Sequence, residues 1–224
     1  MFGHRTGVVW IGILLLSSMF LIGQESWSPY NPQLPGRAVF VTLTSISGDI
    51  YLNGQINPDL ICQGEAATYD LPGIFKAWIS SPNRGSPFTK FNKSPDVGYY
   101  LVLLSGSEKY LTESMRIAGN WSTFASSSHE LPIDHGADGS EVLAAPLIVW
   151  TNTRPAGTMY SVDTSAHCSN WSSNDPLMEG YTGLLTSTTA SWTLNTSTPC
   201  DMFARLYCVQ QDTSPLNTAL FIIP

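Results

Sequence analysis

The apolar residues of this chain fall in one long run near its start and then in short blocks set apart by Gly, Pro, Ser, Thr and Asn. The long run, Val8 to Ile22, follows a basic start that carries His4 and Arg5. About 15 residues fall short of the roughly 20 that a membrane-spanning helix takes, and they suit the apolar centre of a secretory targeting segment. Residues 1–23 are therefore read as a signal peptide, or as an N-terminal anchor if uncleaved. Residues 24–36, QESWSPYNPQLPG with its three prolines, read as an extended leader. Residues 38–44 (AVFVTLT) alternate and are rich in β-branched side chains, which predicts a first strand. Asn57-Pro58-Asp59 has the order of a helix start: a capping amide, a proline at the first helical position and an acid in the first turn. The helix carries Cys62 and is closed by Leu71-Pro72-Gly73. Residues 75–80, 99–104, 147–151 and 204–210 predict four more strands. Residues 113–124 predict a second short helix through Met115, Ile117, Ala118 and Trp121. The stretches 126–145 and 151–199 are loop-rich. The tail from residue 212 is peripheral, with 219–223 (ALFII) as an edge strand or an exposed apolar patch.

Composition changes this picture in one respect. Only 12% of the residues are charged, while 47 of the 224 are Ser or Thr, so hydroxyls and amides keep the surface wet. Ten basic against 17 acidic side chains give a net charge of −7. That balance excludes nucleic acid as a partner class, because phosphate contacts need clustered Lys and Arg. Export would put Cys62, Cys168, Cys200 and Cys208 in an oxidising compartment, where four cysteines form two disulfides. Three pairings are open, and spacing does not choose between them. The spacings also fail to match a two-by-two zinc site.

Six segments stand in a familiar order: AVFVTLT, the Cys62 helix, FKAWISS, VWTNT, CSNWSS and RLYCVQQ. In that order the chain resembles the leptospiral endostatin-like family of spirochaete surface proteins over about residues 37–211. It is similar more broadly to the endostatin domain of collagens. There, too, a VW strand precedes a cysteine followed three residues later by tryptophan, here Cys168 and Trp171. The resemblance implies an α+β fold: a C-type lectin-like, endostatin-like domain with a twisted, mostly antiparallel sheet, two short helices and long disulfide-tied loops. It also implies nested pairs, Cys62 with Cys208 and Cys168 with Cys200. Members of the family act as surface adhesins for extracellular-matrix proteins, plasminogen and complement regulators, and that class of activity is what the resemblance implies here. Collagen endostatins bind zinc through an N-terminal histidine cluster and heparin through clustered arginines. This chain has no histidine between residue 23 and Ala38 and few arginines, so neither property carries over.

The richest polar cluster runs from His129 and Glu130 through Asp134, His135 and Asp138 to Glu141. Carboxylates on a Gly-containing loop suit calcium, which makes Asp134, Asp138 and Glu141 the candidate metal set and calcium the one cofactor considered. The alternating Asp-x-Asp-x-Asp order of a strong site is missing, and the competing reading is a solvated turn with Asp138-Gly139 at its tip. The Glu-Pro-Asn, Gln-Pro-Asp and Trp-Asn-Asp triplets of calcium-dependent lectins are absent. Trp78, Trp150 and Trp171 lie in strand-like segments and are expected in the core. His167 is expected at the surface beside a disulfide. Asn92, Asn120, Asn170 and Asn195 open Asn-x-Ser/Thr triplets, read as unmodified. With no Gly-x-Ser-x-Gly elbow and no histidine-activated free cysteine, catalysis is not expected. The expected role is binding, through a surface drawn from loops 126–145 and 151–195. Its candidate residues are His129, Asp134, His135, Asp138, Asn174 and Asp175. Host matrix or plasma proteins are the expected partners; a carbohydrate-binding module and a structural envelope component are the alternatives.

Overall fold

The computed structural model describes residues 36–51, 57–105 and 108–213. The targeting segment, the leader as far as residue 35 and the tail from residue 214, with its ALFII stretch, lie outside the described residues. Strand β1 (Gly36–Val41) is followed by helix α1 (Pro58–Thr68), β2 (Phe75–Ala77), the one-turn helix α2 (Pro87–Lys90), β3 (Gly98–Leu101), β4 (Leu103–Ser105) and β5 (Glu108–Tyr110). Then come β6 (Arg116–Ala118), the one-turn helix α3 (Trp121–Phe124), β7 (Ile148–Trp150), β8 (Glu179–Leu184), β9 (Thr196–Pro199) and β10 (Tyr207–Gln210). A five-stranded sheet has the order β2-β10-β1-β3-β6, and β7-β8-β9 form a separate three-stranded sheet. The β1–β3 pairing is parallel; the other pairings are antiparallel. The fold is thus α+β with mostly antiparallel sheets, few helices and two disulfides.

All six residues of β1 are buried. Ala38 and Phe40 enter a core with Cys62, Ala66, Phe75, Trp150, Trp171 and Cys208. Val39 and Val41 enter a second core with Trp78, Tyr99, Phe124, Trp192, Tyr207 and Val209. A strand with no wet face needs an unbroken apolar sequence, and AVFV supplies it. The second core is a set of rings in edge and stacked contact: Trp78 lies 4.9 Å from Trp192 and 5.4 Å from Phe124, and Phe124 lies 4.3 Å from Tyr99.

Helix α1 closes the exposed edge of that sheet. The Asn57 side chain caps it by accepting from Asp59 N at 3.0 Å. Asp59 Oδ1 in turn accepts from Ala77 N of β2 at 2.8 Å, and Gln63 Oε1 accepts from Phe75 N at 3.0 Å. The unpaired N–H groups of an edge strand are therefore met by helix side chains, and the edge is no longer a template for another chain. Cys62–Cys208 fastens the helix to β10, and Cys168–Cys200 closes the loop region over the same core. These are the nested pairs that the resemblance implied.

Four sequence expectations change. Strand β1 starts at Gly36, inside the expected leader, and ends at Val41; the alternation of residues 38–44 sorts side chains between two cores rather than between core and water. The strand expected at 99–104 breaks at Val102 into β3 and β4. The helix expected at 113–124 is a 3-10 turn (Glu113–Met115), strand β6 and α3. Ile117 and Ala118 go to the sheet, where Ala118 pairs with Tyr99, and Asn120 starts α3 as its cap. The loop expected at 151–199 contains β8 (EGYTGL) and β9 (TSTP), whose Thr, Ser and Gly give no apolar alternation to read.

The disulfides bridge sequence separations of 146 and 32 residues. Loop-closure arguments give each about 3 to 5 kcal/mol as an upper figure. Replacing Cys62 and Cys208 together by Ala should lower the free energy of denaturant unfolding by that order, and by more than the Cys168/Cys200 double variant. Equal denaturation midpoints for the two variants would contradict the ranking.

Candidate functional site

The expected cluster at 129–141 is woven into the fold. His129 is 7% exposed and packs between Phe124 and Trp192, with ring centroids 5.4 and 4.4 Å away. Its Nε2–H donates to Phe124 O at 2.8 Å, and burial holds the imidazole below its ordinary pKa. It is a core residue, not the surface contact expected from sequence. Ile133 and Ala137 are fully buried. Val41 N donates to His135 O at 2.8 Å and Val142 N to Asp134 O at 2.7 Å, so this segment hydrogen-bonds to the end of β1. Asp138 accepts from Ser140 N at 3.0 Å and from Ser140 Oγ at 2.8 Å, and Gly139 turns at φ 83°. Asp134 and His135 lie 2.7 Å apart and are half-buried. Among the described residues no three His, Cys, Asp or Glu side chains gather to hold a metal ion, so Asp134, Asp138 and Glu141 do not assemble a calcium site. Asn174 and Asp175 are exposed, and Asp175 Oδ1 accepts from Leu177 N at 2.9 Å.

The second expected surface, 151–195, does build a recess. Asn152, fully buried at φ 45°, donates from Nδ2 to Ser161 O at 2.9 Å and accepts at Oδ1 from Ser161 N at 3.1 Å. That bracket shapes a hairpin whose tip is Arg154-Pro155-Ala156-Gly157, with Gly157 at φ 76°. The hairpin sets the Arg154 guanidinium 5.5 Å from the Tyr160 ring centroid, and Tyr160 lies 4.4 Å from the Tyr181 ring of β8. Contact with the Tyr160 hydroxyl raises the Tyr181 phenol above its ordinary pKa. These three side chains, with Asp163 and Glu179, line a hollow of about 410 Å³. Sequence reading missed all three; the one available signal was the Arg-Pro-Ala-Gly turn.

Just after His167 the backbone is strained. Cys168, Ser169, Asn170 and Trp171 have φ of 47°, 53°, 62° and 60°, a full turn of left-handed helix in non-glycine residues. Its hydrogen bonds run from Trp171 N to His167 O at 2.7 Å and from Ser172 N to Cys168 O at 2.9 Å. Left-handed L residues cost about 1–2 kcal/mol each, so packing must hold them. Trp171 is fully buried and donates from Nε1 to Ser80 O at 2.9 Å, while its carbonyl accepts from Tyr51 N at 2.8 Å. Gly48 and Gly180 leave the room that the Cys168 sulfur fills. His167, expected at the surface, is fully buried, and its Nδ1 accepts from Asn170 N at 2.8 Å. No family model matches the chain, and no curated protein matches it.

Two outcomes check these readings. Ser169→Gly, placed in an apparent helical turn, should hold or raise stability by about 0.5–1 kcal/mol, because glycine relieves the left-handed strain; a right-handed turn would instead lose about 1 kcal/mol. The unfolded chain protonates His129 near pH 6.5, which the folded core resists, so this contribution to stability is complete above about pH 6.5 and declines as pH falls below it. The thermal midpoint should therefore drop between pH 7 and 5 more steeply in the parent than in His129→Gln; parallel curves would remove His129 from the account.

Proposed function

We propose that the chain is an exported, endostatin-like domain of C-type lectin-like fold that works by binding host extracellular-matrix or plasma proteins. Laminin, fibronectin, plasminogen and complement regulators such as factor H are the class of partner. The observation that carries this reading is the hollow of Arg154, Tyr160 and Tyr181, on the segment expected to form the binding surface. Tyr and Arg are the side chains that dominate protein interfaces, because each brings a large contact area and directed hydrogen bonds at low entropic cost. Val162 and Leu177, 71% and 91% exposed, add apolar area on the same segment, and Asn174 and Asp175 add hydrogen-bonding groups. Export is supported by the N-terminal apolar segment and by the two disulfides, which suit an oxidising compartment. Among the described residues no helix is long and apolar enough to cross a membrane. Binding of this kind takes no cofactor and no catalytic step.

Solid-phase assays against laminin, fibronectin, plasminogen and factor H test the reading. At least one should bind, with shallow dependence on salt, because few cations are available for steering. Tyr160→Ala and Tyr181→Ala should each weaken that binding about tenfold or more with little change in melting temperature. Binding that survives both variants would remove the hollow as its seat, and silence on all four proteins would overturn the function.

A further inference from the structure

A second recess is lined in part by the strained turn, and its chemistry differs. Tyr51, Asn83, Arg84, Ser169, Asn170 and Ser172 line a hollow of about 550 Å³, within the range of small-ligand sites. Arg84 stands at the tip of a turn closed by Ser81 and Gly85, where Gly85 N donates to Ser81 O at 2.9 Å and Gly85 takes φ 75°. Its guanidinium carbon lies 3.8 Å from the Tyr51 ring centroid. Tyr51 is itself 6% exposed, so the ring is a fixed platform.

Arg84 is unlike the other described cations. Arg37, Lys76, Lys90, Lys93, Lys109, Arg154 and Arg205 donate to backbone carbonyls, and Arg116 donates to Glu113 and Glu130. The Arg84 side chain donates to no acceptor among the described residues, and it is exposed. Asn170 lines the same hollow, while its Oδ1 is closed off from solvent and has no hydrogen-bond donor. A positively charged fork with free N–H groups and the Asn170 side chain therefore line one recess. The second is held in a left-handed backbone that the Cys168–Cys200 disulfide and Trp171 keep in place.

We propose that this recess binds the carboxylate of an acidic monosaccharide, a uronate or a sialate, with Arg84 holding the carboxylate and Asn83, Ser169, Asn170 and Ser172 the ring hydroxyls. A planar carboxylate matches two parallel guanidinium N–H groups, and stacking on Tyr51 fixes the plane of the fork. One cation balances one negative charge, which suits a carboxylate better than a doubly charged phosphate. The remaining lining is amide and hydroxyl with no aliphatic side chain, which suits a polyhydroxylated ring better than a peptide. The site is distinct from the Arg154–Tyr160–Tyr181 hollow, so either assignment can fail without the other.

Saturation-transfer NMR and calorimetry on the full chain would use glucuronate, galacturonate and N-acetylneuraminate. The controls are their methyl esters, glucose, glucosamine 6-sulfate and a short Glu-rich peptide. At least one free acid should bind, its methyl ester should bind about tenfold or more weakly, and Arg84→Gln should lose a similar factor at an unchanged melting temperature. Arg84→Lys should recover only part of the loss, since a point charge cannot replace the fork. Tyr160→Ala should leave the sugar signal intact. Equal binding of ester and acid, of the sulfated sugar and the acid, or of parent and Arg84→Gln would overturn the proposal. So would binding of the peptide in place of the sugars, or no binding of any acid.

Discussion

Everything in this structure is arranged around a strand that water never reaches. Because β1 is buried on both faces, the chain must supply two separate apolar layers to cover it, and it does so with different materials. One layer mixes rings such as Phe75, Trp150 and Trp171 with small residues, sulfur and the α1 helix; the other is a tighter cluster of aromatic rings. Both disulfides lie in the first layer, where Cys62 and Cys208 sit among Ala38, Ala66 and Ala77 and a covalent tie adds to the packing of the rings. The second layer has no disulfide and depends on ring contacts, with Trp78 donating from Nε1 to Thr193 Oγ1 at 2.7 Å so that its one polar atom is satisfied.

The scarcity of charge has a structural counterpart. Arg205 is 6% exposed and donates to Thr42 O at 2.9 Å, Pro146 O at 3.0 Å and Ala144 O at 3.3 Å, with a further contact to Leu43 O. One guanidinium thus gathers the end of β1 and the approach to β7, work that an ion pair would do in a charge-rich protein. Burial lowers its pKa, while Glu65 opposes that. Arg37 does the same at the start of β1, donating to Tyr99 Oη at 3.0 Å and to Asn92 O. Cations held by carbonyls in this way leave few positive groups free at the surface.

How much of this was legible beforehand depended on which physical signal each element carries. The start of α1 could be read because Asn57, Pro58 and Asp59 act through local capping chemistry. Strands β1, β7 and β10 could be located because burial demands apolar runs, although their ends could not. By contrast, β8 and β9 are held by backbone pairing and by Thr182, whose hydroxyl donates to Thr196 O at 3.0 Å; threonine in a loop and threonine in a strand look the same in sequence. The polar cluster at 129–141 misled for the opposite reason. Its charged residues are conspicuous, yet the structure is governed by Ile133 and Ala137 between them, and His129 turns inward to the rings. The second recess was invisible because it joins distant segments, as Arg84 joins Ser169 and Asn170; the first lies within 151–195, but its residues meet only through the hairpin and β8.

The partners of β1 both lie far along the chain: β3 begins at Gly98, and β10 begins at Tyr207 and pairs Val209 with Val39. Such pairing gives a high contact order, since closing that loop must precede its reward. A chain emerging from its N-terminus, whether from a ribosome or across a membrane, therefore holds β1 half-paired until nearly all of it is out. A strand buried on both faces is then the one that waits longest, and any catalyst or chaperone of its maturation has its task defined there.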